Sequence, residues 1–393
     1  MKILIANDGY ADVGGVHSYM ECVAAELIAR GHDVRGLYYD VVDPGKVETI
    51  LASMENFSVQ GEGLEPALQR ARRWKPDVCF SQNMRFVDIE QGLQSLAPTV
   101  KFMHGFNGVC ISGQKMHGFP NATPCHRTFG PACLALYFPR RCGKLSWSDF
   151  STGWQQHRAL QTLFGQYRYV VVASEFMEAE YRRHGCTEAQ LRCAPLFATE
   201  AERPETDCRK SAQPTLLFLG RMTNLKGGDV LIRAFAEAQK LLNSSLRLVM
   251  AGDGPARTAW EELAKSLDVQ AEFSGWVAGA ARSNLLAEAH LLAVPSIWPE
   301  PFGLVGLEAA RNGTASIAFD LGGINQWLKD GVNGLLVRGE RADWRILGRA
   351  LADAFRDPRR LVALGQRARE ESRSWTVQRH VSQLEELFKA ASA

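Results

Sequence analysis

The sequence lacks an apolar segment long enough to cross a membrane, since no run approaches the roughly 20 residues that a spanning helix needs. Its first residues, MKILIAND, turn polar too early for a secretory signal. The formal net charge is only +2, which is too small to indicate a nucleic-acid-binding protein. These absences predict a cytoplasmic protein without a nucleic-acid partner.

The cysteines show no regular pairing pattern: there are nine of them, an odd number, unevenly spaced along the chain. In a reducing compartment this argues against a disulfide scaffold. Four of them, Cys110, Cys125, Cys133 and Cys142, fall within one irregular segment, and His126 follows the second. Their spacing is not C-x-x-C, so a structural zinc site and simple buried thiols are both open interpretations.

The 393 residues are about twice the usual domain length, and apolar strand patterns alternate with amphipathic helix patterns in both halves. This alternation predicts an α/β protein with two doubly wound, mainly parallel sheets. We place the first domain at 1–195, with an insertion at about 106–154 where the pattern fails, and the second at 196–375. A last amphipathic helix, 376–393, is expected to pack on another surface.

A basic, glycine-rich loop follows the first strand of the second domain. Gly220 and Arg221 end the strand TLLFLG, Lys226 lies in the same loop, and a helix begins near Asp229. A helix N-terminus presents unpaired N–H groups and partial positive charge, to which two cationic side chains add full charges. The pattern fits a diphosphate site, although an ordinary basic turn has the same composition.

Two glutamates flank a Pro-Phe-Gly turn in the segment SIWPEPFGLVGLE. Glu300 lies in the loop and Glu308 on the following helix, so both can face a ligand above the carboxyl edge of the sheet. A carboxylate accepts two hydrogen bonds at once, which suits sugar and ribose hydroxyls. Solvated glutamates are the alternative interpretation.

Several segments in order resemble family 4 of the retaining glycosyltransferases, which have the GT-B fold of two Rossmann-like domains facing a central cleft. They are the early glycines Gly14 and Gly15, FLGRMTNLKGGDVLI, AGDGP, FSGWV and EPFGLVGLE. The resemblance covers the whole chain except the insertion. It implies that the second domain binds a nucleotide-sugar donor, that the first lies on the acceptor side, and that the last helix returns to the first domain.

The resemblance also implies roles for individual residues. Arg221 and Lys226 would hold the donor diphosphate, and Glu300 would contact the transferred sugar while Glu308 binds the ribose. Further donor contacts would come from Gly15, from the Gly220 loop, from Phe302, Gly303 and Leu304, and from the main chain at Trp276 and Val277 beside the base. His104 would face the reacting centre from the first domain.

No Asp-x-Asp motif stands at a strand end, which fits an enzyme that needs no catalytic metal or other cofactor. We expect a hexosyltransferase-type enzyme that uses a UDP-sugar, with a GDP-sugar as the next choice. Its acceptor would be a glycan or a lipid-linked molecule in surface polysaccharide synthesis. The alternatives are a nucleotide-sugar epimerase, a sugar phosphorylase, or a sugar-nucleotide-binding protein without activity.

Acidic residues are absent between Glu90 and Asp149. This stretch contains Lys101, Lys115, Arg127, Arg140, Arg141 and Lys144, with the aromatic residues Phe102, Phe106, Phe119, Phe129, Tyr137, Phe138 and Trp147 among them. Basic side chains interleaved with aromatic ones suit contact with anionic lipid headgroups. We therefore expect a peripheral contact with the inner face of an anionic membrane; a solvated loop is the alternative.

Overall fold

The structure is a computed structural model that describes residues 1–9, 15–40, 50–198, 210–243 and 245–393. The chain divides into two compact units. The first unit comprises Met1–Lys115, His126–Thr199 and Val377–Ala393, and the second comprises Met116–Cys125 and Glu200–Thr376.

The first unit is built on a seven-stranded parallel sheet with the strand order β3-β2-β1-β4-β5-β8-β9. The strands up to β9 are β1 (Lys2–Gly9), β2 (Asp33–Asp40), β3 (Asn56–Ser58), β4 (Val78–Ser81), β5 (Thr99–Met103), the hairpin strands β6 (Met116–His117) and β7 (Thr123–Pro124), β8 (Tyr169–Val172) and β9 (Leu191–Cys193). Every residue of β4, β5 and β8 is buried, as expected for strands covered by helices on both faces. The chain reverses direction across the sheet between β1 and β4, which makes the fold doubly wound.

Among the residues that the structure describes, eight α-helices precede the second sheet. They are α1 (Gly15–Ala29), α2 (Ile50–Ser53), α3 (Val59–Glu62), α4 (Leu64–Trp74), α5 (Val87–Leu96), α6 (Ala132–Leu136), α7 (Trp147–Thr162) and α8 (Glu175–Arg183). Ser146 and Ser174 begin α7 and α8, where each hydroxyl accepts a hydrogen bond from a first-turn N–H group. Such caps satisfy donors that the helix itself leaves unpaired.

The second unit repeats the same winding in a six-stranded parallel sheet with the order β12-β11-β10-β13-β14-β15. Its strands are β10 (Thr215–Leu219), β11 (Arg247–Ala251), β12 (Ala271–Gly275), β13 (Leu291–Val294), β14 (Ala315–Phe319) and β15 (Gly334–Val337). Its helices are α9 (Gly228–Leu242), α10 (Arg257–Ser266), α11 (Gly279–Glu288), α12 (Val305–Arg311), α13 (Trp344–Phe355) and α14 (Pro358–Ser372). The two sheets confirm the predicted α/β fold class.

The last helix, α15 (Val377–Ser392), packs on the first unit. Phe388 places its ring 5.0 Å from that of Phe80 in β4. Glu385 bridges Arg30 at 2.5 Å and His32 at 2.7 Å, both beyond the end of α1. None of the helices in the described ranges is long and apolar enough to span a bilayer.

Three buried histidines of the first unit each accept a hydrogen bond at one ring nitrogen. The donors are the Gly108 N–H to His157 at 2.8 Å, the Phe129 N–H to His184 at 2.9 Å and the Tyr19 hydroxyl to His380 at 2.8 Å. An accepting nitrogen carries no proton, so each ring is neutral. Burial lowers the pKa of His157 and His380 to about 4, and burial together with nearby Lys115 and Arg183 lowers that of His184 to about 3.

We therefore expect the first unit to lose stability in mild acid. In the unfolded chain these rings titrate near pH 6.5, so unfolding binds protons below that pH. The free energy of unfolding should be constant above about pH 6.5 and fall by about 1.4 kcal/mol per pH unit for each histidine as the pH drops toward 4. Thermal unfolding followed between pH 7.5 and 5 measures this slope. His157→Gln, whose amide oxygen can accept the Gly108 hydrogen bond, should reduce it; an unchanged melting temperature across this range contradicts the assignment.

Candidate functional site

A polar cluster of the second unit lies where its sheet reverses direction, between β10 and β13. A 3₁₀ turn, Asn224–Lys226, follows β10 and places Lys226 one residue before Gly227, the N-cap residue of α9. Glu300 follows β13 and is 3% exposed. The two residues meet, with Lys226 Nζ 2.6 Å from Glu300 Oε1. In doubly wound sheets such a reversal point is where ligands bind.

Glu300 is held by three donors that all engage the same oxygen, Oε1. They are Lys226 Nζ at 2.6 Å, Ser296 Oγ at 2.5 Å and Trp298 Nε1 at 3.0 Å. The carboxylate is thereby fixed in one orientation, and Oε2 is left to accept hydrogen bonds from a ligand. Sequence reasoning did not assign Ser296 or Trp298, although both stand in the same segment as Glu300.

Glycines let the loops of this edge approach one another. Gly227 has φ +66°, and a Cβ there would lie 2.0 Å from the carbonyl oxygen of Pro295 at the end of β13. Gly252 has φ +129°, and a Cβ there would lie 2.0 Å from the carbonyl oxygen of Gly220. Both neighbours are backbone atoms that cannot rotate away, so only glycine fits at either position.

Glu308 lies on α12 and is 4% exposed. Its carboxylate forms an ion pair with Arg282 of α11, a residue that sequence reasoning did not single out. Before α12, the Trp327 indole N–H donates to the carbonyl of Phe302 at 2.7 Å and fixes the turn that contains Gly303, with φ +86°, and Leu304. The two glutamates are therefore both buried and both paired with a cation.

The other predicted residues of the second unit stand at the same edge of the sheet. Gly220 directly follows β10, and the side chain of Arg221 is exposed. Trp276 and Val277 follow β12, whose Gly275 carbonyl accepts a hydrogen bond from the Gly252 N–H at 2.7 Å. The Trp276 side chain is 58% exposed. Because all six strands are parallel, these groups share the carboxyl edge with Lys226 and Glu300.

In the first unit, His104 follows β5 at the carboxyl edge of the sheet. Its Nε2 lies 2.8 Å from Oε1 of Gln82, which follows β4, and its ring packs edge-on against Tyr19 at 4.9 Å. Gly15 is the exposed first residue of α1, whereas Gly14 lies outside the described residues. The contact between Gln82 and His104 was not predicted from the sequence.

His104 is a neutral ring. Burial, with smaller effects of Lys101 and His380, lowers its pKa to about 3. When Gln82 Oε1 accepts from Nε2–H, the unprotonated nitrogen is Nδ1. At neutral pH this residue can exchange hydrogen bonds with a substrate but does not supply a positive charge.

The structure does not support the zinc interpretation of the four cysteines. Cys110 Sγ lies 3.5 Å from Ser112 Oγ, while the thiols of Cys133 and Cys142 contact the carbonyl oxygens of Thr128 and Leu136. Cys125 forms no disulfide bond. Throughout the described ranges no three His, Cys, Asp or Glu residues are arranged to hold a metal ion. A small aromatic core supports the insertion instead: buried Ile111, Phe129 and Tyr137 pack with Phe138, Phe150 and Trp154.

Two of the six basic residues expected at a membrane surface are buried. Lys101 is 2% exposed and forms an ion pair with Glu90 at 2.6 Å. Lys115 is 1% exposed and forms an ion pair with Glu180 at 2.9 Å. Helices α5 and α8 carry these acids, which lie outside the acid-free stretch, so neither lysine can contact a lipid headgroup.

Two Rossmann-like units of this kind define the GT-B class of glycosyltransferase folds. HepE of Anabaena, solved with UDP and glucose, superposes with a TM-score of 0.73 at 16% identity, covering 99% of this chain and 100% of HepE. WaaG, a glycosyltransferase involved in lipopolysaccharide biosynthesis, gives a TM-score of 0.70 at 18% identity over 98% of this chain and 99% of WaaG. The GT-B fold is confirmed.

The family comparison concerns the second unit. Residues 201–371 match the family of glycosyl transferases group 1. D-inositol 3-phosphate glycosyltransferase of Corynebacterium kroppenstedtii is 35% identical over 201 residues, which are 48% of this chain and 44% of the relative. The chain thus spans less than half the length of this relative. The predicted family resemblance is confirmed.

Proposed function

We propose that the chain is a glycosyltransferase that moves a sugar from a nucleotide-diphosphate sugar to a glycan or lipid-linked acceptor. The observation that carries this proposal is the Lys226–Glu300 pair, held at 2.6 Å where the second sheet reverses direction. It joins a cation suited to a diphosphate with a carboxylate suited to sugar hydroxyls, in the unit that carries the family match.

The proposed role of each residue follows from the charges that develop as the donor bond breaks. When the bond between the sugar and the diphosphate breaks, negative charge grows on the leaving phosphate and positive charge on the sugar carbon. Arg221 and Lys226 stabilise the phosphate, since an ammonium group has three donors and Glu300 occupies one of them. Glu300 Oε2 then binds the sugar, while Glu308 binds the ribose. Fixed side-chain cations supply this charge, so we propose transfer without a catalytic metal and expect EDTA to leave it intact.

We propose a UDP-sugar as the donor, with a GDP-sugar as the second choice. The solved HepE complex contains UDP and glucose, and this supports UDP. Thermal stabilisation by UDP-, GDP- and ADP-sugars tests the choice. A ligand at 100 times its dissociation constant adds about 2.7 kcal/mol, or roughly 5 to 10 °C for a domain of this size. A sugar phosphate without a nucleotide is the control; equal shifts with all three nucleotides contradict the preference.

We propose that the transfer retains the anomeric configuration of the donor. The acceptor would attack from the face that the leaving diphosphate vacates, with that phosphate as the base, while neutral His104 shapes the site by hydrogen bonding. NMR of the product is expected to show the anomer of the donor, and inversion contradicts the proposal. Donor turnover without any acceptor would instead favour the epimerase alternative, and binding without turnover would favour the non-catalytic one.

We place the acceptor in surface polysaccharide synthesis at the inner face of a membrane. The exposed basic residues Arg140, Arg141 and Lys144 support a phosphate-bearing or lipid-linked acceptor. WaaG, with the same fold, is involved in lipopolysaccharide biosynthesis, which agrees with such an acceptor. Transfer to lipid-linked rather than free sugar acceptors is the measurement that tests this part.

A further inference from the structure

One surface of the first unit combines exposed apolar side chains with basic ones. It lies on α6, the start of α7 and the loop between them. We call it the α6–α7 tip, and it consists of Leu134, Arg140, Arg141, Lys144, Leu145 and Trp147. Trp147 is 74% exposed, more than any other large apolar side chain of the described residues. Leu145 is 59% exposed and Leu134 43%.

Hydrogen bonds and ring contacts hold the tip in place. The Tyr137 hydroxyl donates to the carbonyl of Lys144 at 3.0 Å, and the Cys142 N–H donates to the Tyr137 carbonyl at 3.0 Å. Phe138 lies 4.6 Å from the ring of Trp147 and packs against the aromatic core of the insertion. Leu145 and Trp147 are therefore displayed by an ordered support, whereas water would ordinarily disfavour their exposure.

The charge of the tip is positive. Arg140 and Arg141 are exposed, and the Lys144 side chain is 81% exposed. The nearest acid along the chain is Asp149, whose carboxylate lies 3.7 Å from Lys144 Nζ. Lys101 and Lys115 are buried, so the cationic character expected of the whole stretch is concentrated here.

We propose that the α6–α7 tip docks the protein on an anionic lipid bilayer. Trp147 and the two leucines enter the interface between headgroups and acyl chains, where tryptophan is enriched, while the three cations contact phosphate headgroups. Charge complementarity selects the bilayer: the three exposed cations stand in the same segment as Leu145 and Trp147, and an anionic surface offers phosphate groups to all of them. The inference rests on the membrane-linked acceptor proposed above and names the residues that make the contact.

Co-sedimentation of the full chain with vesicles, without donor or acceptor, tests the docking. We expect binding to phosphatidylcholine vesicles that contain phosphatidylglycerol, little binding to phosphatidylcholine alone, and weakening by salt. Replacing Arg140, Arg141 and Lys144 by glutamine should weaken partitioning about 100-fold, since each cation adds a similar increment near a charged surface. Leu145→Ser with Trp147→Ser should weaken it at least about tenfold.

Matched controls come from the second unit. Arg359, Arg360 and Arg367 are exposed, and replacing them by glutamine removes the same charge. Leu241→Ser with Ile346→Ser alters two side chains that are 45% and 44% exposed. Both controls should bind anionic vesicles like the wild type.

The proposal is overturned if the wild type does not bind anionic vesicles, or if the tip variants bind them as strongly as the control variants do. It is also overturned if sedimentation shows that the wild type self-associates and the Leu145→Ser, Trp147→Ser variant is monomeric, because the tip then serves a second copy. Turnover of a water-soluble acceptor is measured separately. If the protein binds vesicles but shows no turnover, the docking proposal stands and only the proposed function is contradicted.

Discussion

Replacing Lys226 by alanine is expected to lower kcat/KM for the nucleotide-sugar by about 30- to 1000-fold, which corresponds to about 2 to 4 kcal/mol of lost transition-state stabilisation. The side chain ends 2.6 Å from Glu300 at the reversal point of the second sheet. Its charge is needed most as the diphosphate leaves, so kcat should fall more than the affinity for UDP. Steady-state kinetics with a fixed acceptor, and calorimetry with UDP, separate the two effects.

The same change also affects folding, because it leaves the buried Glu300 with only Ser296 and Trp298 as donors. Thermal unfolding of the variant measures this contribution. Lys240→Ala is the matched control, since Lys240 lies on α9 with an exposed side chain. Arg221→Ala should reduce turnover in the same way as Lys226→Ala with little change in stability, because its side chain is exposed. Near-normal turnover in both variants contradicts the placement of the diphosphate.

The sequence was sufficient to predict the elements that carry the site. Short apolar strands such as TLLFL, bounded by glycine, are typical of parallel strands buried on both faces, and this is how β10 is placed. In a parallel sheet every strand ends at the same edge, and β10 pairs with β13, so the loops with Lys226 and Glu300 are neighbours. Their proximity follows from topology and needs no knowledge of side-chain packing.

The partners of those residues could not be predicted in the same way. Arg282 meets Glu308 across two helices, and Gln82 meets His104 across two strands, at positions 26 and 22 apart in sequence. No local pattern marks such contacts. Ser296 and Trp298 differ, since they stand four and two positions before Glu300 in the same loop and donate to the same oxygen.

Local composition misled at the acid-free stretch for a physical reason. A lysine needs a carboxylate close in space, and the fold supplies Glu90 to Lys101 and Glu180 to Lys115. The cysteines allowed a zinc interpretation, whereas in the structure apolar and aromatic side chains give the insertion a core of its own. The number of basic residues or thiols in a segment therefore predicts a basic surface or a metal site only when the residues that contact them in space are known.

The two buried glutamates are expected to have separable roles. Glu308→Gln should weaken the binding of free UDP by about 10- to 150-fold, because a hydrogen bond to a charged group contributes about 1.5 to 3 kcal/mol. Glu300→Gln should leave UDP affinity within about twofold, since UDP carries no sugar, while single-turnover transfer slows by a similar factor of about 10 to 150. Calorimetry with UDP and rapid-quench kinetics with the sugar donor are the two measurements.

Glu308 is also paired with Arg282, so its substitution leaves a partly buried cation without its carboxylate. Removing both charges with Arg282→Gln and Glu308→Gln relieves that penalty, and the double variant should unfold nearer the wild-type temperature while UDP binding stays weak. Glu288→Gln is the control, because Glu288 is exposed at the end of α11, the helix that carries Arg282. Recovery of UDP affinity in the double variant would show that Glu308 only neutralises Arg282. Equal losses of UDP affinity in Glu300→Gln and Glu308→Gln would contradict the division between sugar and ribose.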